Sequence, residues 1–316
     1  MDRRAFLAAL TPLAAGCFGG QPSEPTPTAT ETSTATETPE PTATETPEPT
    51  ATPTPEASPE AAQHIDDAQD RLTEAVYIYT GGVTDDLLSV TAETESFKAR
   101  DVLLRLDRVQ RSVAAAEAAA STDDQRSTVD ALDTMQRFLT HATDAQSWLI
   151  DGHDALTEAY ARLDETELDA AADDLERVET AMDEVSAPVT TIGDELDPES
   201  ASVTDAIGTD EYEQKVTQLR AERDALTVFG DAAADLHDGI SLITDARDAV
   251  DDDRTDEAAN TADQAYELLR DVEDELDEQM DDLSSDANAF EDVGDNLLTL
   301  ASSRANEAES IYDQYA

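Results

Sequence analysis

Cysteine is the scarcest resource in this chain: Cys17 is the only one in 316 residues, so no intramolecular disulfide can form and no thiolate cluster can hold zinc. Lysine is almost as rare, with Lys98 and Lys215 alone, and Lys and Arg together number 19 against 75 Asp and Glu, for a formal net charge of -56. A phosphate backbone is bound by clustered cations that displace its counterions, so this composition excludes nucleic acid as a partner. Aromatic residues make up 4%, and with β-branched runs also scarce there is little to build strands from. From residue 59 onward proline is confined to Pro59, Pro188 and Pro198. The apolar stretch from Ala5 to Ala15, interrupted by Thr11 and Pro12, falls short of the ~20 residues a membrane-spanning helix requires.

What is present at the amino terminus is an address. MDRRAFLAALTPLAAGC combines paired arginines, a brief apolar stretch and small residues before the cysteine, which is the layout of an export signal rather than of a folded helix. Arg3, Arg4, Phe6 and Leu7 in R-R-x-F-L spacing resemble a twin-arginine signal, and Ala14, Ala15, Gly16 and Cys17 resemble a lipobox. Asp2 stands where such signals commonly carry a hydroxyl residue, and Ala14 where leucine is commoner, with Leu13 one place earlier. The acidic, lysine-poor composition is similar to that of haloarchaeal proteins, which work in concentrated salt. Together these resemblances imply a haloarchaeal twin-arginine-exported lipoprotein: residues 1–17 removed or modified at Cys17, a lipid on that cysteine, and residence on the outer face of the membrane. Self-repulsion from so many carboxylates is severe in dilute buffer and nearly abolished at molar salt, where the Debye length is about 3 Å.

Residues 18–58 are built from Thr, Pro, Glu and Ala, with TATETPEP at 34–41 repeated at 42–49. Such a tract cannot bury a core and is expected to be a disordered stalk, extended by its prolines to on the order of 100 Å if stretched. A plain linker and an O-glycosylated stalk both fit this composition.

From 59 to 316 the pattern is helical. Val102, Leu106, Val109, Val113, Ala116 and Ala120 recur in steps of three and four, as do Leu132, Met135, Leu139 and Ala142, placing one apolar stripe on each helix. Thr122 followed by Asp123, Asp124 and Gln125 reads as a capping box. Sliding the chain by 87 residues aligns 122–197 with 209–284 without a gap, through TD at 122 and 209, LT at 139 and 226, and L-x-D-G at 149 and 236. The fold expected is all-α: an elongated antiparallel bundle made of two ~87-residue hairpin repeats, about 122–208 and 209–295. Long helices are expected over about 123–163 and 210–250, shorter ones near 60–79, 96–120 and 286–315, with Pro188 kinking or ending the first return helix.

Gly152 and Gly239 occupy the same place in the two units, where close helix crossing or a ligand against the backbone would offset the cost of a helical glycine. His64, His141, His153 and His237 show neither Glu-x-x-His nor His-x-x-x-His spacing, so no metal is expected. Gly152-His153 also lacks the spacing of the G-x-H-x-x-E motif of imelysin-like helical lipoproteins. DDDRTDE at 251–257 has no EF-hand glycine or terminal glutamate and reads as a hydrated turn. Lys98, Arg100, Arg105, Arg108 and Arg111 form the one basic cluster, suited to ion pairs within the bundle or to an acidic partner. No glycine-rich phosphate loop, nucleophile elbow or acid-base constellation is present. The expectation is a protein without enzymatic activity or cofactor, bound to the membrane by the lipid on Cys17. Its domain would have a structural role or bind a protein partner, a second copy of the chain included. The alternative is a ligand-binding or transport-associated lipoprotein with a cleft between the repeats.

Overall fold

Steps of three and four along each apolar line become seven helices in the computed structural model, which describes residues 56–82 and 86–316. They are α1 (Pro59–Tyr79), α2 (Ala99–Ala119), α3 (Asp123–Asp164), α4 (Leu168–Asp194), α5 (Thr209–Asp251), α6 (Thr255–Asp281) and α7 (Glu291–Tyr315). Short 3-10 turns at Leu87–Ser89, Pro198–Val203 and Ser285–Phe290 fill the longer connections. Among the described residues there is no strand. The protein is all-α, a helical bundle, and α3 with 42 residues is about 63 Å long at 1.5 Å per residue.

The helices start where their sequences say they should. Ser58 caps α1, its side chain accepting from the Ala61 N–H at 3.2 Å with Pro59 in the first turn, a position where the missing N–H costs nothing. Thr122 caps α3 by accepting from the Gln125 N–H at 3.2 Å. The Gln125 side chain does not complete the reciprocal box. It turns to α1 instead, accepting from the Ser58 N–H at 3.0 Å and donating to the Ser58 carbonyl at 2.8 Å.

Two of the helix ends have the same closure. After α3, the Glu167 N–H reaches the Arg162 carbonyl at 2.8 Å and the Thr166 N–H reaches Leu163, with Thr166 at φ 62. After α5, the Arg254 N–H reaches Ala249 at 2.8 Å and the Asp253 N–H reaches Val250, with Asp253 at φ 58. Both are Schellman motifs, in which one left-handed residue satisfies the last carbonyls and turns the chain back on itself. Three-residue links of this kind leave α3 and α4, and α5 and α6, as antiparallel neighbours.

The hairpins pack around α3 and α5, which touch each other as well as α4 and α7. The stripes read from sequence lie inside: Val102, Leu106, Val109, Val113 and Ala116 on α2, and Leu132, Met135, Leu139 and Ala142 on α3, are all buried. Alanine supplies much of the interior, which permits close approach between helices. Pro188 does not end the helix, since α4 continues through it to Asp194. It stands half-buried within the last two turns, and the carbonyl it leaves without a donor belongs to the exposed Glu184, where water can take it.

Candidate functional site

Where α1, α3 and α5 meet, the apolar interior gives way to a polar ring. Its centre is Lys215, fully buried on α5. An ammonium has three N–H donors, and all three are used: Val90 carbonyl at 2.6 Å, Gln146 Oε1 at 2.7 Å and Gln218 Oε1 at 3.0 Å. Two turns along the same helix lies Glu222, also fully buried. Its Oε1 accepts from Gln218 Nε2 at 3.2 Å and from the Ala92 N–H at 3.4 Å, and its Oε2 from Gln146 Nε2 at 3.5 Å.

Cation and anion are thus joined by three bridges rather than by direct contact. Gln218 and Gln146 each turn the amide oxygen to Lys215 and the amide nitrogen to Glu222. The third bridge is main chain, with the Val90 carbonyl at the cation and the Ala92 N–H at the anion. Tyr79 at the end of α1 closes the ring, its hydroxyl donating to Gln146 Oε1 at 3.5 Å and its face 5.6 Å from Lys215 Nζ.

Burial dominates the electrostatics. It pushes the Lys215 ammonium below the ordinary lysine range, opposed by the negative charges of Glu222 and Asp86. It pushes the Glu222 carboxyl above the ordinary range, opposed by Lys215 and by the hydrogen bonds from Ala92, Gln146 and Gln218. Tyr79 is raised as well, by burial first and by Glu222 second.

The segment gripped by this ring is the link between α1 and α2. Glu211, one turn before Lys215, accepts the Leu87 N–H at 2.8 Å, and Gln218 Nε2 also reaches the carbonyls of Leu88 and Val90 at 3.3 Å. Glu211, Lys215, Gln218 and Glu222 recur at steps of four, three and four, so one stripe of α5 faces residues 87–92. Leu87, Val90 and Ala92 are buried beneath it.

The residues singled out in the sequence are scattered relative to this ring. Arg3, Arg4, Phe6, Leu7, Ala14, Ala15, Gly16 and Cys17 lie outside the described residues. Gly152 is a crossing point: a Cβ there would meet Leu226 Cδ2 at 2.7 Å and Ala181 Cβ at 2.9 Å. Gly239 is pressed by Leu269 at 2.6 Å, so side chains of neighbouring helices fill the space at both glycines. His153 stacks edge-on against Phe290 with centroids 5.2 Å apart, and His237 lies 3.2 Å from Asp238. Among the described residues no group of three or more His, Cys, Asp or Glu is placed to hold a metal. In the acidic turn, Arg254 pairs with Asp252 at 3.2 Å. Of the basic cluster, Arg105 reaches Glu74 on α1 at 2.7 Å and Arg111 its own helix's Asp107 at 3.1 Å.

A groove of about 510 Å³ runs between α4 and α5, floored by Leu175, Val178, Met182 and Gly230 and rimmed by Glu179 and Asp231. No family model matches the chain, and no curated protein and no solved structure matches it either.

Proposed function

We propose that the chain is a lipid-anchored protein on the outer face of the cell membrane, exported by the twin-arginine route and presenting its helical domain on the Thr/Pro/Glu-rich stalk. The observation that carries this reading is MDRRAFLAALTPLAAGC, in which the chain's only cysteine follows a short apolar stretch at lipobox spacing. The domain's role is structural or protein-binding, not enzymatic. The polar groups of the ring, Lys215, Gln146 and Glu222 among them, are engaged with one another and with main chain. Among the described residues no helix is long and apolar enough to cross a membrane, so retention would depend on the lipid. One acyl chain alone is a marginal anchor, and replacing Cys17 should therefore be decisive. Cys17→Ser is expected to release the protein into the medium or to leave an unprocessed precursor, with the helical circular-dichroism spectrum unchanged. Membrane retention of a correctly cleaved mutant would refute the proposal.

The domain is further read as a duplicated hairpin. Shifted by 87 residues, the bounds of α3 and α4 fall on those of α5 and α6 to within a residue, Thr166 falls on Asp253, and Gly152 on Gly239. The second functional reading, a ligand-binding lipoprotein, rests on the α4–α5 groove, which would lie between the two units. A small cation that raises the melting temperature saturably, and loses that effect in Asp231→Asn, would favour it. Reproducible crosslinking to a protein in native membranes at high salt would favour the first.

A further inference from the structure

The charged ring is costly for a mere filler. At positions 87 residues earlier, Thr128, Ala131 and Met135 stand where Lys215, Gln218 and Glu222 stand on α5, and Ala233 is the counterpart of Gln146. Met135 is as fully buried as Glu222. A long helix of this bundle therefore packs with no charge at those three positions, and apolar residues commonly replace buried ion pairs without loss of stability. What the ring adds is recognition of residues 87–92. The hydrogen bonds it makes to Leu87, Leu88, Val90 and Ala92 go to main chain: the N–H of Leu87 and Ala92 and the carbonyls of Leu88 and Val90. No side chain of the segment is read by hydrogen bonding in these contacts. The side chains of Leu87, Val90 and Ala92 supply apolar burial alone.

The gripped segment has little structure of its own. It holds one three-residue 3-10 turn, and α1 leads towards it through Gly81 and Gly82, both in the left-handed region at φ 71 and 75. Glycine enters that region without steric penalty, as a chain reversal requires.

We infer that Glu211, Lys215, Gln218, Glu222 and Gln146 form a receptor for main chain, filled in cis by residues 87–92 and able to take the same segment in trans. The cation fixes a carbonyl, the anion fixes an N–H two residues on, and Glu211 fixes the N–H at the other end. Apolar side chains then descend beside α3 and α5. Because these contacts are to main chain, the ligand is defined by the backbone course of residues 87–92, a 3-10 turn followed by Val90 in the β region, and by small or branched apolar residues at the positions of Leu87, Val90 and Ala92. The link between α1 and α2 acts as its resident occupant.

The test is complementation in the full chain at high salt. Ala92→Pro removes the N–H that Glu222 accepts and loosens the cis segment while leaving every receptor side chain in place. The capped peptide DLLSVTA, residues 86–92, is then titrated in. Ala92→Pro is expected to melt below the wild type and to regain part of the difference saturably with peptide, whereas the wild type, already filled in cis, shows less than a tenth of that shift. Adding Lys215→Met with Glu222→Met should abolish the response. Should Ala92→Pro fail to fold alone, recovery of its helical spectrum on refolding with peptide, but not with a scrambled peptide, supports the inference equally. No response to peptide by either readout, or an equal response in the Lys215→Met/Glu222→Met background, overturns it.

Discussion

Lys215 and Glu222 are charges held where water cannot reach them, and the sign of each displacement determines how stability follows pH. Glu222 is raised, so its contribution is full below the ordinary glutamate range and is lost as pH rises through its folded value. Lys215 is lowered, so its contribution is full above the ordinary lysine range and is lost as pH falls through its folded value. The pair costs the fold most in the neutral window between them. Removing one partner leaves the other unmatched, and Lys215→Met alone is expected to destabilise by about 3–5 kcal/mol at neutral pH. Lys215→Met with Glu222→Met should be at least as stable as the wild type there, with the advantage shrinking towards both acid and alkali. Denaturant unfolding of the three proteins across pH measures this. Sequence reading noted Lys215 only as one of two lysines, yet a signal was present. Val216, Leu219 and Leu226 define the buried face of α5, and Lys215 and Glu222 fall at four before and three after Leu219, where periodicity reserves an apolar residue. What could not be read was the partner, because Val90 and Ala92 come from a link more than a hundred residues away.

At the scale of elements, turns and crossings were the more legible features. The short acidic stretches LDETELD at 163–169 and VDDDRTD at 250–256 interrupt the apolar period, and in both a left-handed residue turns the chain. Asp253 carries that conformation without being glycine, so Asp253→Gly is expected to raise stability by about 0.5–1 kcal/mol in thermal unfolding, since a Cβ there is a steric cost and the position is exposed. At Gly152 the sign reverses. Alanine gains about 1 kcal/mol in helix propensity, but its methyl would meet Ala181 Cβ at 2.9 Å. That neighbour cannot rotate away, so Gly152→Ala should lower stability by about 1–3 kcal/mol, as overpacking does, measurable as a lower urea midpoint at unchanged slope. Pro188 does not stop α4 because the one carbonyl it deprives of a donor, that of Glu184, belongs to an exposed residue near the helix end, where water replaces the bond.

For the whole molecule, the decisive number is the net charge of -56. Apolar stripes sufficed to recover an all-α bundle because helices of this length write their period many times over. The packing of α3 against α5, and the ring between them, was not written locally. Repulsion among exposed carboxylates opposes the compact state and is screened by salt, so the melting temperature is expected to rise steadily between about 0.1 M and about 1 M salt, with helical ellipticity at 25 °C highest in the most concentrated buffer. A melting point independent of salt would show that the carboxylates are not under mutual strain. The hydrogen bonds at Ser58 have a mechanical meaning as well. Gln125 holds both the N–H and the carbonyl of Ser58, and Ser121 Oγ donates to the Glu56 carbonyl at 2.6 Å. Tension arriving from the amino-terminal side would therefore be shared between the start of α1 and the start of the α3–α4 hairpin, because three hydrogen bonds join the two.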